Sequence, residues 1–205
     1  MIRTSFKVKG KIMNSFVKKV VAGGLLCACI TSLHAMKVDE KSIMLEFTGY
    51  KTAEMEAISG NFMKAKFTFG KDMSSLSGLL MGAKAMITPS SSNVEDIGGM
   101  ENNLNSAFFP VLGGRNDFMV EFIDYVGNDE EGLVSARVML GKEQTITSLK
   151  VHKSDMEVML EGSINILNFK NGMKAIKALQ KVAPGHGDIT SPEVSLKLKF
   201  NLMDE

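Results

Sequence analysis

Apolar and polar residues alternate with a period of two along most of this chain. That spacing predicts strands with one face buried. Ile43, Leu45 and Phe47 face one way, with Met44, Glu46 and Thr48 opposite. Met63, Ala65, Phe67 and Phe69 follow, interleaved with Lys64, Lys66 and Thr68, and Ser59-Gly60 marks a strand start or bulge just before them. Ala83, Ala85 and Ile87 form a shorter run that stops at Pro89 and three serines. Phe118, Val120 and Phe122 alternate with Met119, Glu121 and Ile123. The run 127–132 reads as a hairpin turn leading to Val134, Ala136, Val138 and Leu140. Turns at 141–144 and 153–155 set off Thr147, Leu149 and Val151 from a long row of Met156, Val158, Leu160, Gly162, Ile164 and Ile166. Val194, Leu196, Leu198, Phe200 and Leu202 close the series. About eight turn-separated strands predict a mainly β chain, an antiparallel barrel or sandwich.

Helical spacing is scarce. The best stretch runs from Asn171 to Ala183, where Met173, Ile176, Leu179 and Val182 fall at three-residue steps among lysines. Asn171 is a candidate cap, and Pro184-Gly185 a stop. A weaker segment, Asp96 to Phe109, reads as a loop with a short helix that delivers Leu104, Phe108 and Phe109 to the core.

The N-terminus has a different texture. A basic stretch with Lys18 and Lys19 precedes an uncharged apolar run from Val20 to Leu33, and Ala35 offers a small residue for cleavage. This is the layout of a secretory signal peptide over residues 1–35, followed by one exported domain over 36–205 destined for the periplasm. The apolar run is shorter than the ~20 residues a bilayer-spanning helix needs, so no integral span is expected in the mature chain. Met13 is an alternative first residue. Leu26-Cys27-Ala28-Cys29 weakly resembles a lipobox, which makes a lipoprotein anchored at Cys29 the rival reading.

Removing the leader changes the charge. Arg3, Lys7, Lys9, Lys11, Lys18 and Lys19 go with it, leaving 18 basic against 23 acidic residues, a net charge of −5. No basic patch remains to neutralise phosphates, so nucleic acid is not an expected partner. Both cysteines lie in the leader, so the mature domain lacks a disulfide, a thiolate nucleophile and a Cys-based metal site. Its histidines, His152 and His186, fall at turns and do not make the three-ligand set of a catalytic zinc. No G-x-S-x-G elbow occurs, and Ser90-Ser91-Ser92 reads as a turn. Asp129-Glu130-Glu131 reads as a solvated hairpin tip. The expectation is a protein without catalytic residues, metal or cofactor.

The order of features resembles the YceI-like family of exported lipid-binding proteins. The residues that carry this resemblance are Val38 to Ser42, Leu45 to Lys51, Ile58 to Phe62, Ala83 to Ile87 running into Ser90 to Asn93, and Asn103 to Phe109. Leu160-Glu161-Gly162, Ala175 to Leu179, Gly185-His186-Gly187 and Val194-Ser195-Leu196 complete the order. Two departures stand out: Met100-Glu101-Asn102 replaces a basic residue common before the Phe-Phe pair, and Pro184 replaces a cysteine found after the helix. The resemblance implies a single lipocalin-like antiparallel barrel with a helix at one side, enclosing an elongated apolar ligand. An isoprenoid quinone or a fatty amide or acid is the ligand type it implies.

An eight-stranded barrel either fills with its own side chains or holds one small ligand. Small inward residues at Ala65, Ala83, Ala85, Ala136 and Gly162 leave room beside large ones. The candidate cavity wall is Phe47, Phe67, Phe109, Phe118, Phe122, Val138, Leu160 and Leu196. The expected function is a periplasmic binding or carrier protein for a long-chain amphiphile, with a homodimer as its candidate assembly. Three other classes compete. An outer-membrane barrel is disfavoured by the absence of Trp and the presence of only two tyrosines. An enzyme working on a lipid at the barrel mouth would use His186 or Glu121. A structural or stress-related interaction module would have a solid interior.

Overall fold

The computed structural model describes residues 35–94, 98–114, 116–183 and 189–203. The predicted leader except Ala35, both cysteines, His186 with its flanking glycines, and the Pro184-Gly185 stop lie outside those residues. Among the described residues the alternating segments form ten strands of one antiparallel sheet. These are β1 (Lys37–Lys51), β2 (Glu56–Phe62), β3 (Ala65–Thr68), β4 (Lys84–Ile87), β5 (Ser92–Asn93), β6 (Phe118–Gly127), β7 (Glu131–Leu140), β8 (Glu143–Ser154), β9 (Glu157–Asn165) and β10 (Glu193–Met203).

Ten strands and the expected eight describe the same ring. Only Met63 and Lys64 separate β2 from β3, and β4 leads into β5 through a single 3-10 turn, Pro89–Ser91. β3 pairs with β4 and β2 pairs with β5, so each couple acts as one bent strand beside the other. β2 also pairs with β1, and β4 with β6. From β6 to β10 each strand pairs with the next, and β10 returns to β1. The sheet is thus a next-neighbour antiparallel barrel with eight positions around it. The break at Met63 corrects one expectation. That residue is 69% exposed, because the inward row starts at Ala65 after the bend.

Register explains why the small residues sit where they do. Phe47 lies opposite Gly60. A Cβ on Gly60 would stand 2.7 Å from the Phe47 Cζ and 2.6 Å from the Asn93 carbonyl oxygen, so only glycine lets the ring lie across β2. Gly132 serves the β6–β7 hairpin in the same way. A Cβ there would meet the Tyr125 hydroxyl at 2.5 Å, and this hydroxyl donates to the Asn128 carbonyl.

Helices pack at the two ends. α1 (Leu76–Leu80) crosses one end, with the Ser75 hydroxyl accepting from the Gly78 N–H. Leu76, Leu79 and Leu80 are fully buried there among Val134, Val158, Leu160, Phe200 and Leu202. Each such leucine contributes about 1.5–3 kcal/mol on leaving water. The opposite end carries α2 (Met100–Asn103), a π turn over Leu104–Phe108, and α3 (Phe109–Leu112). The π turn is forced locally: Pro110 has no N–H to give and its ring crowds the preceding turn, so the chain widens before it.

α4 (Gly172–Val182) lies beside them. Its buried face is Gly172, Ala175, Ile176 and Leu179, while Met173 and Val182 are 49% and 42% exposed. The three-residue steps that suggested a four-member stripe lose about 60° per step against a 100° helix. The middle two therefore stay on the face and the outer two leave it. Asn171 occupies the N-cap position, but its side chain makes no capping bond.

Candidate functional site

Between its helix-bearing ends the barrel is not filled. A cavity of about 200 Å³ runs through its interior. Wall residues extend along β1 from Leu45 past Phe47 and Gly49 to Lys51, a stretch of about 20 Å along the strand at ~3.3 Å per residue. The space is therefore long and narrow.

Small residues make this space. On the β6–β7–β8 wall, Phe122, Ala136 and Thr147 lie side by side in register. The alanine leaves a trough between bulkier neighbours. Ala85 does the same between Phe67 and Val120. The remaining small residues divide differently. Ala83 packs among the leucines of α1, Ala65 packs half-buried beside the cavity, and Gly162 admits Leu149, whose Cδ2 would stand 2.7 Å from an added Cβ.

All eight candidate wall residues meet at this one cavity. Phe47, Phe67, Phe109, Phe118, Phe122, Val138, Leu160 and Leu196 line it. The phenylalanines form a connected arc: Phe47 and Phe62 have ring centroids 5.0 Å apart, Phe62 and Phe109 6.0 Å, and Phe109 and Phe118 5.6 Å at an edge-on 70°. Sequence reading missed Phe62 and Phe169 as wall residues, and it placed Phe108 in the core without a cavity role. Phe62 shares the inward parity of Ile58 and Gly60, a signal present in β2. Phe169 comes from the irregular segment between the β9 turn and α4, where no periodicity announces it.

The polar wall residues are few. Tyr50, Lys51, Thr190 and Ser191 gather at one end of the space. Lys51 bridges to Thr190, and the Ser191 N–H donates to the Tyr50 carbonyl at 2.9 Å. Thr147 lies where β8 splays from β9, whose shared ladder runs no further than Leu149 opposite Gly162, and its hydroxyl donates to the Ser163 carbonyl. Lys197 borders the cavity but turns its ammonium outward to Glu161, 2.7 Å away.

The residues considered for chemistry lie elsewhere. Glu121 is on the outer face, 3.2 Å from the Lys84 ammonium and 2.9 Å from the Arg137 guanidinium. The hydrogen bond from Lys84 is the main reason its carboxyl sits below the usual range. This corrects its proposed place at the barrel mouth: inward parity belongs to Val120 and Phe122. His152 is on the exposed face of β8, opposite Glu131 and Met159. Ser91 and Ser92 hydrogen-bond within the turn region, to the Thr88 carbonyl and to Asn105. Asp129 holds α1, accepting the Leu76 N–H. Among the described residues no three His, Cys, Asp or Glu side chains are grouped to hold a metal ion. Nor is any helix among them long and apolar enough to cross a membrane.

The fold is that of a lipocalin-like barrel. It matches solved structures of this architecture across most of their length. A polyisoprenoid-binding domain from Saccharophagus degradans superposes with a TM-score of 0.56 at 18% identity, covering 82% of this chain and 99% of that one. BcnA of Burkholderia cenocepacia gives a TM-score of 0.58 at 12% identity, covering 80% and 98%. The YceI protein of Campylobacter jejuni gives 0.57 at 15% identity, covering 76% and 90%. No protein-family model matches the chain, and no curated protein matches it. At such identities the shared feature is the fold.

Proposed function

We propose that this chain is an exported YceI-like protein that binds a long-chain amphiphile, of isoprenoid or fatty type, within the barrel, and carries it through the periplasm without chemical change. One observation carries the reading: an elongated, almost wholly apolar space walled along its length by Phe, Leu, Ile and Val side chains. Each methylene transferred from water to such a wall contributes ~0.8 kcal/mol. A long chain then offsets the cost of its immobilisation through burial alone. Phe47, Phe67, Phe109, Phe118, Phe122, Val138, Leu160 and Leu196 are the proposed contacts. The printed description of the Saccharophagus degradans domain as polyisoprenoid-binding supports this class of ligand. Export rests on the leader read from residues 1–35 and takes the place of delivery to be the periplasm.

Native mass spectrometry of the exported chain tests the reading. The expected spectrum shows the 36–205 chain with an additional apolar mass that is lost on denaturation and recovered in an organic extract. A bare chain that also gains no thermal stability from added long-chain lipids would remove the proposal. A ligand at a hundred times its Kd should stabilise the fold by about 2.7 kcal/mol.

A further inference from the structure

We infer that Lys51 is a head-group site, and that the amphiphile held by this barrel carries an anionic oxygen head, a carboxylate or a phosphate. The inference rests on the cavity being a lipid site and names the ligand's polar end.

The argument starts from register. Leu45, Phe47, Gly49 and Lys51 share the inward parity of β1, opposite Gly60, Ile58 and Glu56 on β2. An inward row that begins with leucine and phenylalanine at depth ends with a lysine at the rim. Its side chain is only 18% exposed and borders the cavity. An ammonium so placed would ordinarily turn to water, as Lys197 turns to Glu161. Lys51 likewise turns its ammonium to a carboxylate, while its methylene stem lines the end of the space that Thr190 and Ser191 also border.

Its partner is Glu56, at 3.2 Å. Glu56 is 57% exposed, so this bond is made in a wet setting and contributes little. An anion arriving at the head of a buried chain meets the same ammonium in a drier place, where a charge-assisted bond is worth more. Glu56 then swings into water at small cost. The arrangement works as an exchangeable counter-ion: the carboxylate holds Lys51 until the ligand's own charge replaces it. A neutral head would leave the Lys51–Glu56 pair intact and gain only the hydroxyl and carbonyl groups nearby.

The experiment uses the purified full chain after lipid removal. Palmitate, hexadecyl phosphate, hexadecanol and hexadecanamide share one chain length and differ only in the head. Their affinities are read by competition against the neutral probe N-phenyl-1-naphthylamine. Wild-type protein should bind the two anions about tenfold more tightly than the two neutral lipids. Lys51→Met should abolish that preference, bringing the two anions level with the two neutral lipids, and Lys51→Arg should keep it. Glu56→Gln, which removes the competing carboxylate, should strengthen anion binding only. Palmitate ahead of hexadecyl phosphate would mark a carboxylate head, and the reverse order a phosphate. Equal affinity for all four lipids, or a preference that survives in Lys51→Met, overturns the head-group assignment while leaving the cavity reading standing. Failure of every lipid to displace the probe overturns both.

Discussion

The Asp129 carboxylate accepts the backbone N–H of Leu76 at 2.7 Å, joining the β6–β7 hairpin to the first residue of α1 across 53 positions of sequence. This bond fixes the helix that packs at one end of the barrel. It satisfies a donor that a helix start leaves open, and it sets a negative charge near the positive end of the helix. The hairpin is itself held by Tyr125, whose hydroxyl donates to Asn128. Asp129→Ala should therefore lower the unfolding free energy by about 1 kcal/mol, and Asp129→Asn by less. Urea titrations of the three proteins check this. Equal midpoints would mean the contact is idle.

The two ends of the interior should respond differently to changes in size. Leu79 is fully buried under the barrel, and Leu79→Ala should cost about 3 kcal/mol by opening a void. Ala136 faces the existing space, where Leu has somewhere to go. Ala136→Leu should keep stability within about 1 kcal/mol of wild type and still reduce uptake of an apolar probe. A large stability loss in Ala136→Leu would show that the trough beside Phe122 is already filled.

Gly60 should tolerate no side chain. Gly60→Ala places a Cβ against the Phe47 ring and the Asn93 carbonyl, and should destabilise by about 1–3 kcal/mol. Adding Phe47→Leu removes the ring and should restore only part of the loss, because the carbonyl is backbone and stays. A double-mutant cycle in denaturant reads the coupling directly.

Glu121 supplies a pH signature. Lys84 chiefly, and Arg137 in addition, hold its carboxyl below the ordinary value in the folded protein. A folded-state value lower than the unfolded one gives stability that is fully present above the ordinary carboxylate range and is lost as pH falls through the folded value. The group is on the outer surface, so the effect is small and shrinks with salt. Stability measured from neutral pH down to acid should fall less steeply for Glu121→Gln than for wild type at low ionic strength. Parallel curves would show the outer triad to be energetically silent.

Lys51, Phe62 and Phe169 mark the boundary between what the chain declares and what folding decides. Alternation told which residues of each strand face inward, because a pleated strand turns successive side chains to opposite sides. It is a local property, so Phe47, Phe67, Phe118, Phe122, Val138, Leu160 and Leu196 were legible one strand at a time, and Phe109 was read from the short-helix segment that ends on it. Eight positions around the ring were legible for the same reason. The split of two of them into short strands was not, since bends at Met63 and Pro89 leave the alternation almost unchanged. Helical spacing was a weaker guide: three-residue steps drift around an axis with 3.6 residues per turn, and Met173 and Val182 left the buried face. Only the tertiary structure decided that α1 packs at one end, that Phe169 joins the wall, and that Lys51, at the end of an inward row, borders the cavity. Those facts depend on which strands become neighbours and how far apart opposite walls stand. Such distances are fixed by ring closure and packing between segments remote in sequence, and no local pattern encodes them.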